Sequence, residues 1–293
     1  MTTSTALQTA GFNVVGKATS AEQAIDRLID QNATDEPSCD LLLVDLNLPA
    51  MNGDELCEFF NSNSIYSHVP VIMITGDEDV MVLQRAYESG VVDFIRKPFN
   101  RIELNARVMT AAQNVMQRRE LIYLAHYDRL TGLVNRGLLI DRLSTAIRHA
   151  ERNQLEVVLL FIDLDNFKSL NDTLGHSLGD VALKMTAERL LACTRESDTV
   201  ARLGGDEFVI MLPDVEPENA RHLDRLINAI HQTLSDVYVL GETELGETSW
   251  HLGGSVGIAT YPNDATDVET LMKIADMKMY KEKSLRKKML LPD

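Results

Sequence analysis

The first hundred residues alternate short apolar runs with amphipathic segments. The apolar runs predict four strands, at Asn13–Ala18, Asp40–Asp45, Val69–Thr75 and Val91–Ile95. The other segments carry apolar residues at helical spacing and predict helices at Ser20–Gln31, Gly53–Asn61, Asp79–Ser89 and from Arg101 to about Ala125. Short buried strands that alternate with helices predict a parallel sheet covered by helices on both faces.

The remaining residues predict a different kind of sheet. A buried strand begins near Leu155 and ends in carboxylates, and further strands are predicted at Val200–Leu203, Phe208–Leu212 and Ser255–Thr260. Helices are predicted from Arg136 to about Arg152, directly after the first of these strands, and at Val181–Thr194, Glu218–Ser235 and Ala265–Lys283. This order predicts an antiparallel sheet with helices on one face, which is an α+β ferredoxin-like palm.

The helix that begins at Arg101 joins the two parts. Its apolar stripe continues past the point where the first sheet can cover it, and consists of Leu104, Val108, Ala111, Val115 and Ile122. Beyond Ala111 a parallel coiled coil between two chains is the better interpretation. We therefore expect a first domain at residues 1–110, a helical linker at 111–126 and a second domain at 127–293.

Composition narrows the class of protein. The length of 293 residues fits two domains, and 28 Lys and Arg against 44 Asp and Glu give a net charge of −16. Nucleic acid and an anionic membrane surface are therefore poor partners. The three cysteines, Cys39, Cys57 and Cys193, are far apart and predict reduced thiols. We recognise neither a signal peptide nor an apolar run of the ~20 residues that span a bilayer, and we expect a cytoplasmic protein.

Three polar residues lie at the carboxyl ends of the first sheet's strands, where ligands of such sheets bind. They are Asp45, Thr75 and Lys97. An Asp at a strand tip can accept a phosphoryl group, and a nearby hydroxyl and ammonium can respond to the added charge. Strand ends are usually polar, so each residue alone indicates little.

Together these residues resemble the response-regulator receiver domain, through DLNLPAMNG (Asp45–Gly53), MITGDED (Met73–Asp79) and DFIRKPF (Asp93–Phe99). The resemblance covers about residues 1–120 and implies an α/β flavodoxin-like fold. It also implies two-component signalling, with Asp45 as phosphoacceptor, Thr75 and Lys97 as switch residues, Phe94 as the aromatic switch and a cognate histidine kinase as partner.

The receiver pattern is incomplete. Receivers begin with a strand that ends in paired acidic residues, which hold the Mg²⁺ for phosphoryl transfer, whereas Gly11-Phe12 here already matches the segment after the first helix. The missing strand is central in the 2-1-3-4-5 order, so we expect an open seam and poor phosphorylation of Asp45. Either the sequence is a truncated form of a longer chain or the domain is degenerate.

The second domain carries a carboxylate pair. Asp163 ends a strand, and Asp206 lies on a hairpin tip formed by Gly204-Gly205-Asp206-Glu207. If the strands are neighbours, the carboxylates converge and suit Mg²⁺ or Mn²⁺, and two such ions can clamp a nucleoside triphosphate. Lys168 and a basic cluster near the C-terminus can bind phosphate oxygens. We call this the late basic cluster; it consists of Lys281, Lys283, Arg286 and Lys287. Asn171 and Asp180 offer the donor and acceptor groups that bind a guanine edge. Each of these alone is more often a solvated polar residue.

The joint pattern resembles the GGDEF-family diguanylate cyclases, through DLDNFK (Asp163–Lys168), Asn171-Asp172, Gly175-His176, Gly179-Asp180 and GGDEF (Gly204–Phe208). The match runs from Asp128, in DRLTGLVNR, to about Lys287. It implies a nucleotidyltransferase that condenses two GTP into cyclic di-GMP and pyrophosphate as a dimer, with two Mg²⁺ or Mn²⁺ ions per active site.

The same resemblance implies roles for individual residues. Asp163, Asp206 and the Leu164 carbonyl are metal ligands; Asp206 or Glu207 accepts the proton; Lys168 steadies the transition-state phosphate. Substrate-binding positions are Phe167, Asn171, His176, Asp180, Lys283 and Lys287, with Asn171 and Asp180 on guanine and Lys283 and Lys287 on the triphosphate. For His176 a structural role in the turn competes with substrate contact. Arg286-Lys287 stands where the family usually has Gly-Arg.

Arg195 and Asp198 form an RxxD motif just before the hairpin. Alone, such a motif is usually a helix-end ion pair. At this spacing from GGDEF it resembles the family's product-inhibition site, which binds cyclic di-GMP. Two other functions remain open at this stage: a catalytically inactive cyclic di-GMP sensor, and a receiver-type signalling adaptor that works by dimerising.

Overall fold

The computed structural model describes residues 3–29, 37–49, 51–76, 84–85, 87–216, 220–243 and 246–289. The chain forms two compact units, Met1–Leu121 and Ile122–Asp293. Within the described ranges, no helix combines the length and the apolar character that crossing a bilayer requires.

The first unit contains a three-stranded parallel sheet. Its strands are β1 (Leu42–Asp45), β2 (Val71–Thr75) and β3 (Val91–Arg96), in the order β1-β2-β3. The helices are α1 (Thr3–Thr9), α2 (Ala21–Ile29), α3 (Gly53–Ser62) and α4 (Arg101–His126), which continues into the second unit. The predicted helix Asp79–Ser89 lies mostly outside the described residues, although residues 84, 85, 87 and 88 are helical.

Helices cover both faces of this sheet, as the pattern predicted. On one face Leu7 of α1 and Leu104 of α4 pack against Ile72 of β2. On the other face Leu56 and Phe60 of α3 belong to a cluster with Met73, Val71 and Phe94. The alternation of side chains along β2 separates the two clusters.

The strand predicted at Asn13–Ala18 is wrong. These residues are irregular, and no described residue pairs with them in a ladder. Val14 packs against the cluster of α1 and α4 while Val15 is exposed, so this short apolar run contributes to packing without forming strand hydrogen bonds. A strand needs a neighbour for its backbone amides, and none of the described strands pairs with these residues. The three described strands pair in parallel, with one register shift between β2 and β3 at Val71 and Ile72.

The second unit is built on a four-stranded antiparallel sheet in the order β5-β6-β4-β9. These strands are β4 (Glu156–Asp165), β5 (Thr199–Gly204), β6 (Glu207–Val215) and β9 (Gly253–Tyr261). A separate hairpin of β7 (Tyr238–Thr243) and β8 (Gly246–Trp250) was not predicted. The helices are α5 (Arg136–Asn153), α6 (Phe167–Leu174), α7 (His176–Cys193), α8 (Ala220–Ser235) and α9 (Val268–Met289).

Helices pack on both faces of the antiparallel sheet, so the prediction of helices on one face is wrong. Val158, Leu160 and Ile162 of β4 face a core shared with α6, α7 and α8. Leu159 and Phe161 face a second core shared with α5 and α9. The reason lies in β4 itself, because all its residues between Glu156 and Asp165 are buried, and a strand buried on both sides needs cover on both.

Two helix boundaries also differ from the prediction. Helix α7 begins at His176, five residues before the predicted Val181, so Gly179 lies inside the helix. A Cβ at Gly179 would collide with Oδ1 of Asn171, which explains a glycine at this position. Helix α9 begins at Val268 and continues past Lys283 to Met289. The added turns place Arg286 and Lys287 on the same helix as Lys283.

Candidate active site

The two acidic positions converge as the sequence analysis required. Strand β4 pairs with β6 so that Asp163 lies opposite Glu207, and the Leu164 amide donates to the Asp206 carbonyl at 3.2 Å. Gly205 and Asp206 form the turn between β5 and β6, and the φ angles of Gly204 and Gly205, 146° and 53°, lie in the region that favours glycine.

Burial and mutual repulsion raise the proton affinity of this site. The pKa of Asp206 is raised, first by burial and then by the charge of Asp163, while Lys283 and Arg202 oppose the shift. The pKa of Glu207 is also raised, by burial and by the charges of Asp163, Asp276 and Asp206. Crowded carboxylates with raised pKa values are typical of sites that bind a cation or move a proton.

A cation already lies against Asp163. The Lys283 ammonium of α9 forms an ion pair with Asp163, whose side chain is 12% exposed. Among the described residues no group of three or more His, Cys, Asp or Glu side chains is arranged to hold a metal ion. The carboxylates of Asp163 and Asp206 are hard oxygen ligands, and such a partial set is of the kind that Mg²⁺ completes with water and substrate phosphates.

The predicted guanine-binding residues follow β4 on α6 and α7. Oδ1 of Asn171 is buried and has no hydrogen-bond partner in the described part of the chain. His176 and Asp180 lie exposed in the first turns of α7, and Lys168 is exposed on α6. Phe167 instead lies in the core, at 8% exposure, against Gly179. Its ring supports the surface on which Asn171 lies.

The late basic cluster divides among several partners. Arg286 donates to Glu282 at 2.9 Å from Nε, lies 3.7 Å from Asp165, and contacts Nδ1 of His231 at 3.0 Å. Lys281 is exposed, and the side chain of Lys287 lies outside the described residues. Of this cluster, only Lys283 has a described ion pair with Asp163.

The RxxD motif forms a closed turn after α7. The Asp198 carboxylate accepts the Arg195 backbone amide at 2.8 Å, and the Asp198 amide donates to the Arg195 carbonyl at 3.0 Å. The Asp198 carboxylate is therefore bonded to the backbone of Arg195. In the described part of the chain no ion pair joins the side chains of Arg195 and Asp198. The Arg195 guanidinium is exposed. Strand β5 separates this turn from the Gly204-Gly205 turn.

The receiver residues also meet at one end of their sheet. Lys97 forms an ion pair with Asp45, and the Lys97 backbone amide donates to the Thr75 carbonyl at 2.7 Å. Thr75 is fully buried, and the Phe94 ring packs edge-on against Tyr87 with ring centres 4.7 Å apart. The sheet therefore brings Asp45, Thr75 and Lys97 together, although they are far apart in sequence.

Sequence reasoning missed one charged residue near the carboxylates. Arg202 of β5 donates to the Gly205 carbonyl from two nitrogens, at 3.0 and 2.7 Å, and to Asp128 at 2.9 Å. Asp128 opens the DRLTGLVNR segment, at the start of the match to the GGDEF family. No local pattern indicates this pairing, because the partners are 74 positions apart.

Comparison with known families agrees with this geometry. Residues 125–289 match the diguanylate cyclase GGDEF domain, and residues 1–109 match the response regulator receiver domain. The chain belongs to the GGDEF diguanylate cyclase domain family and carries this domain after a receiver domain.

Curated relatives share one or both domains. The bifunctional diguanylate cyclase/cyclic di-GMP phosphodiesterase MucR of Pseudomonas aeruginosa is 43% identical over 61% of this chain and 25% of its own length. Diguanylate cyclase DgcP of Escherichia coli is 36% identical over 57% of this chain and 47% of its own. Response regulator PleD of Caulobacter vibrioides is 30% identical over 84% of this chain and 54% of its own. The chain thus spans between a quarter and about half of these relatives.

Two solved structures are similar to the second unit. The GGDEF domain of TpbB from Pseudomonas aeruginosa has a TM-score of 0.51 at 39% identity, over 55% of this chain and 90% of that one. The coiled coil and GGDEF domain of DgcB from Caulobacter crescentus, in complex with c-di-GMP, has a TM-score of 0.51 at 28% identity, over 62% of this chain and 94% of that one.

Proposed function

We propose that this chain is a diguanylate cyclase that condenses two GTP molecules into cyclic di-GMP and two pyrophosphates. The observation that carries the proposal is the convergence of Asp163, Asp206 and Glu207 beside Lys283, in a member of the GGDEF family. We assign residues 1–110 to the receiver, 111–126 to the linker and 127–293 to the cyclase. A cytoplasmic location, where GTP is available, belongs to the same proposal.

Asp163, Asp206 and the Leu164 carbonyl would hold Mg²⁺ or Mn²⁺, two ions per active site. When bound, such ions neutralise phosphate charge and activate the attacking oxygen. Glu207 or Asp206 accepts the proton of the attacking 3′-hydroxyl, a role that suits carboxylates with raised pKa values.

Chain residues bind the two ends of GTP. Oδ1 of Asn171, which has no hydrogen-bond partner among the described residues, is an acceptor for guanine N–H groups, and the Asp180 carboxylate is a second one. Lys283 and Lys287 are one helical turn apart on α9 and bind the triphosphate, while Lys168 steadies the transferred phosphate. His176 lies close enough in sequence to Asp180 to line the same pocket, and Phe167 supports it from the core.

The cyclase works as a homodimer, because each site holds one GTP and the reaction joins two. Support comes from α4, where the apolar stripe is exposed beyond Ala111, with Met116, Leu121 and Ile122 all at least half exposed. A parallel coiled coil would bury these residues. The DgcB structure that resembles this chain includes a coiled coil next to its GGDEF domain.

Regulation is proposed at two places. Cyclic di-GMP binds at Arg195 and Asp198 and inhibits the enzyme. The exposed Arg195 guanidinium can donate hydrogen bonds to a phosphate or a guanine of this ligand. Asp45 accepts a phosphoryl group from a histidine kinase, and Thr75, Phe94 and Lys97 respond to it. The ion pair between Asp45 and Lys97 supports this second proposal, because a phosphoryl group on Asp45 changes the charge that Lys97 faces.

The deciding experiment is turnover of GTP with Mg²⁺, followed by mass spectrometry of the product. Formation of cyclic di-GMP by the wild-type chain and its loss in Asp206→Ala, with the fold retained, is the expected result. Binding of cyclic di-GMP without turnover would instead favour the inactive sensor. Neither binding nor turnover, with phosphorylation-dependent dimerisation, would favour the signalling adaptor.

A further inference from the structure

Arg202 holds the turn that presents the catalytic carboxylates. Its side chain is only 10% exposed, and Nε and Nη2 both donate to the Gly205 carbonyl, at 3.0 and 2.7 Å. Gly205 directly precedes Asp206. Glycines at positions 204 and 205 have a wide choice of backbone angles, and the two hydrogen bonds from Arg202 restrict that choice at Gly205.

The other end of the guanidinium is fixed to Asp128. Nη1 donates to Oδ1 of Asp128 at 2.9 Å, and the same oxygen accepts the Thr131 amide at 2.9 Å and its hydroxyl at 2.6 Å. The Arg202 backbone amide donates to the Val134 carbonyl at 2.9 Å. The loop 128–134, which we call the anchor loop, therefore holds both the backbone and the side chain of Arg202.

The anchor loop is in turn tied to the end of α4. Asn135 follows the loop; its side-chain amide donates to the Ala125 carbonyl at 2.8 Å, and its backbone amide donates to the His126 carbonyl at 2.9 Å. Hydrogen bonds, together with the peptide bond between Val134 and Asn135, therefore connect the last turn of α4 through Arg202 to the carbonyl before Asp206.

We propose that Arg202, held by Asp128, is a positioning residue for the cyclisation reaction, and that it connects the last turn of α4 to the direction in which Asp206 and Glu207 face the substrate. This inference rests on the proposed cyclase function. The guanidinium does not touch the reacting atoms; it fixes the Gly205 carbonyl. Displacement of a reacting group by about 1 Å can cost on the order of 100-fold in rate, so a loosened turn reduces kcat.

The test compares Arg202→Met, Arg202→Lys and Asp128→Asn with Lys278→Met, a control that breaks the ion pair of Lys278 with Asp264 in the same unit. We expect Arg202→Met to lower kcat about 10- to 100-fold with KM for GTP changed less than about twofold, because the residues assigned to GTP are untouched. We expect Arg202→Lys to lower kcat nearly as much, because a single ammonium cannot reproduce the planar fork of N–H donors of a guanidinium.

A second readout is independent of activity. Hydrogen exchange of the peptide that contains the 204–208 amides, measured on full-length protein without nucleotide, is expected to accelerate in Arg202→Met and Asp128→Asn but not in Lys278→Met. All variants should retain a cooperative unfolding transition and affinity for cyclic di-GMP. Asp128→Asn keeps the contacts to Gly205 and should lie between wild type and Arg202→Met in both readouts.

Wild-type kcat in Arg202→Met would overturn the inference, as would a loss of rate that only follows the folded fraction, or unchanged exchange at 204–208. Should wild-type protein make no cyclic di-GMP, the proposed function fails by itself. The exchange measurement then still decides whether Arg202 positions the turn.

Discussion

The ammonium of Lys283 lies on the carboxylate of Asp163, and both side chains are more than three-quarters buried. The two residues are 120 positions apart, on α9 and β4. Since Asp163 is a proposed metal ligand and Lys283 a proposed phosphate ligand, this ion pair joins the two halves of the binding site. In these proposed roles a divalent ion would compete with Lys283 for the Asp163 carboxylate, and the released ammonium would be available to phosphate.

Lys283→Met removes the charge and keeps the apolar stem. We expect KM for GTP to rise about 10- to 100-fold, because a hydrogen bond to a charged group contributes about 1.5–3 kcal/mol. Titration with Mn²⁺ without nucleotide should show tighter binding than in wild type. Lys278→Met on the same helix is the matched control and should change neither quantity. An unaltered KM in Lys283→Met would remove this lysine from the triphosphate site.

Asp206→Asn should separate activity from stability. Turnover is expected to fall more than about 100-fold, because a proposed metal ligand and proton acceptor is lost. Thermal unfolding at pH 7 in EDTA should occur at the same or a higher temperature. Burial and Asp163 raise the pKa of Asp206 above its ordinary value of 3.8, so ionising this carboxyl costs stability in the folded state.

The sign of the pH dependence follows from that shift. The pKa of Asp206 is higher in the folded state than in the unfolded state, so protonated Asp206 stabilises the fold. This stabilisation is complete below about pH 3.8, the ordinary pKa, and is lost as the pH rises through the folded-state pKa. The asparagine introduced by Asp206→Asn does not ionise, so the variant does not lose stability in this way. As the pH rises from about 3.8 through the folded-state pKa, the variant should become more stable relative to wild type. A lower unfolding temperature for Asp206→Asn than for wild type at pH 7 would contradict a raised pKa for Asp206 in the folded state.

Arg195→Ala should weaken product inhibition without lowering the initial rate. The Asp198 carboxylate is engaged with the Arg195 backbone, so truncating the side chain leaves the turn intact. Calorimetric titration with cyclic di-GMP should show at least about tenfold weaker binding, as expected for loss of a charge-assisted contact. Arg225→Ala, at another exposed arginine, is the control. Equal affinity in wild type and Arg195→Ala would leave the motif a structural turn.

Leu121→Glu should weaken the dimer. Leu121 is 68% exposed on α4, and a charge there would oppose burial in a coiled coil. We expect specific activity to need a higher protein concentration, with a parallel shift in the monomer–dimer equilibrium by ultracentrifugation. Ile102→Glu, at an 82% exposed position near the start of the same helix, controls for added charge. Specific activity that is independent of concentration across the dimerisation range would argue against an obligatory dimer.

The three thiols should react in a defined order. Burial first, and then Asp40, raises the pKa of Cys39 to about 11, and burial with Asp54 and Glu58 raises that of Cys57 to about 12. Both thiols are therefore protonated and covered at pH 8, whereas Cys193 is partly exposed. Iodoacetamide in native buffer should label Cys193 first, as read by peptide mass spectrometry. Early labelling of Cys57 would mean that the first unit opens there.

Local patterns in the sequence were sufficient for several features. The continuous apolar run of β4, the Gly204-Gly205 turn and the long helix α4 follow from side-chain periodicity and from glycine's backbone freedom. Polar residues at strand ends indicated both the receiver site around Asp45 and the carboxylate site around Asp163, because the ends of neighbouring strands share one edge of a sheet. The family follows from the same short motifs.

Tertiary structure alone decided how distant segments meet. The short apolar run at Asn13–Ala18 predicted a strand, but a strand needs a paired neighbour, which a pattern within one segment cannot supply. The second helical layer over the antiparallel sheet, the Lys283–Asp163 ion pair and the Arg202–Asp128 pair all join residues far apart in the chain. Such contacts depend on which faces pack together and at what register, and side-chain periodicity within a segment specifies neither.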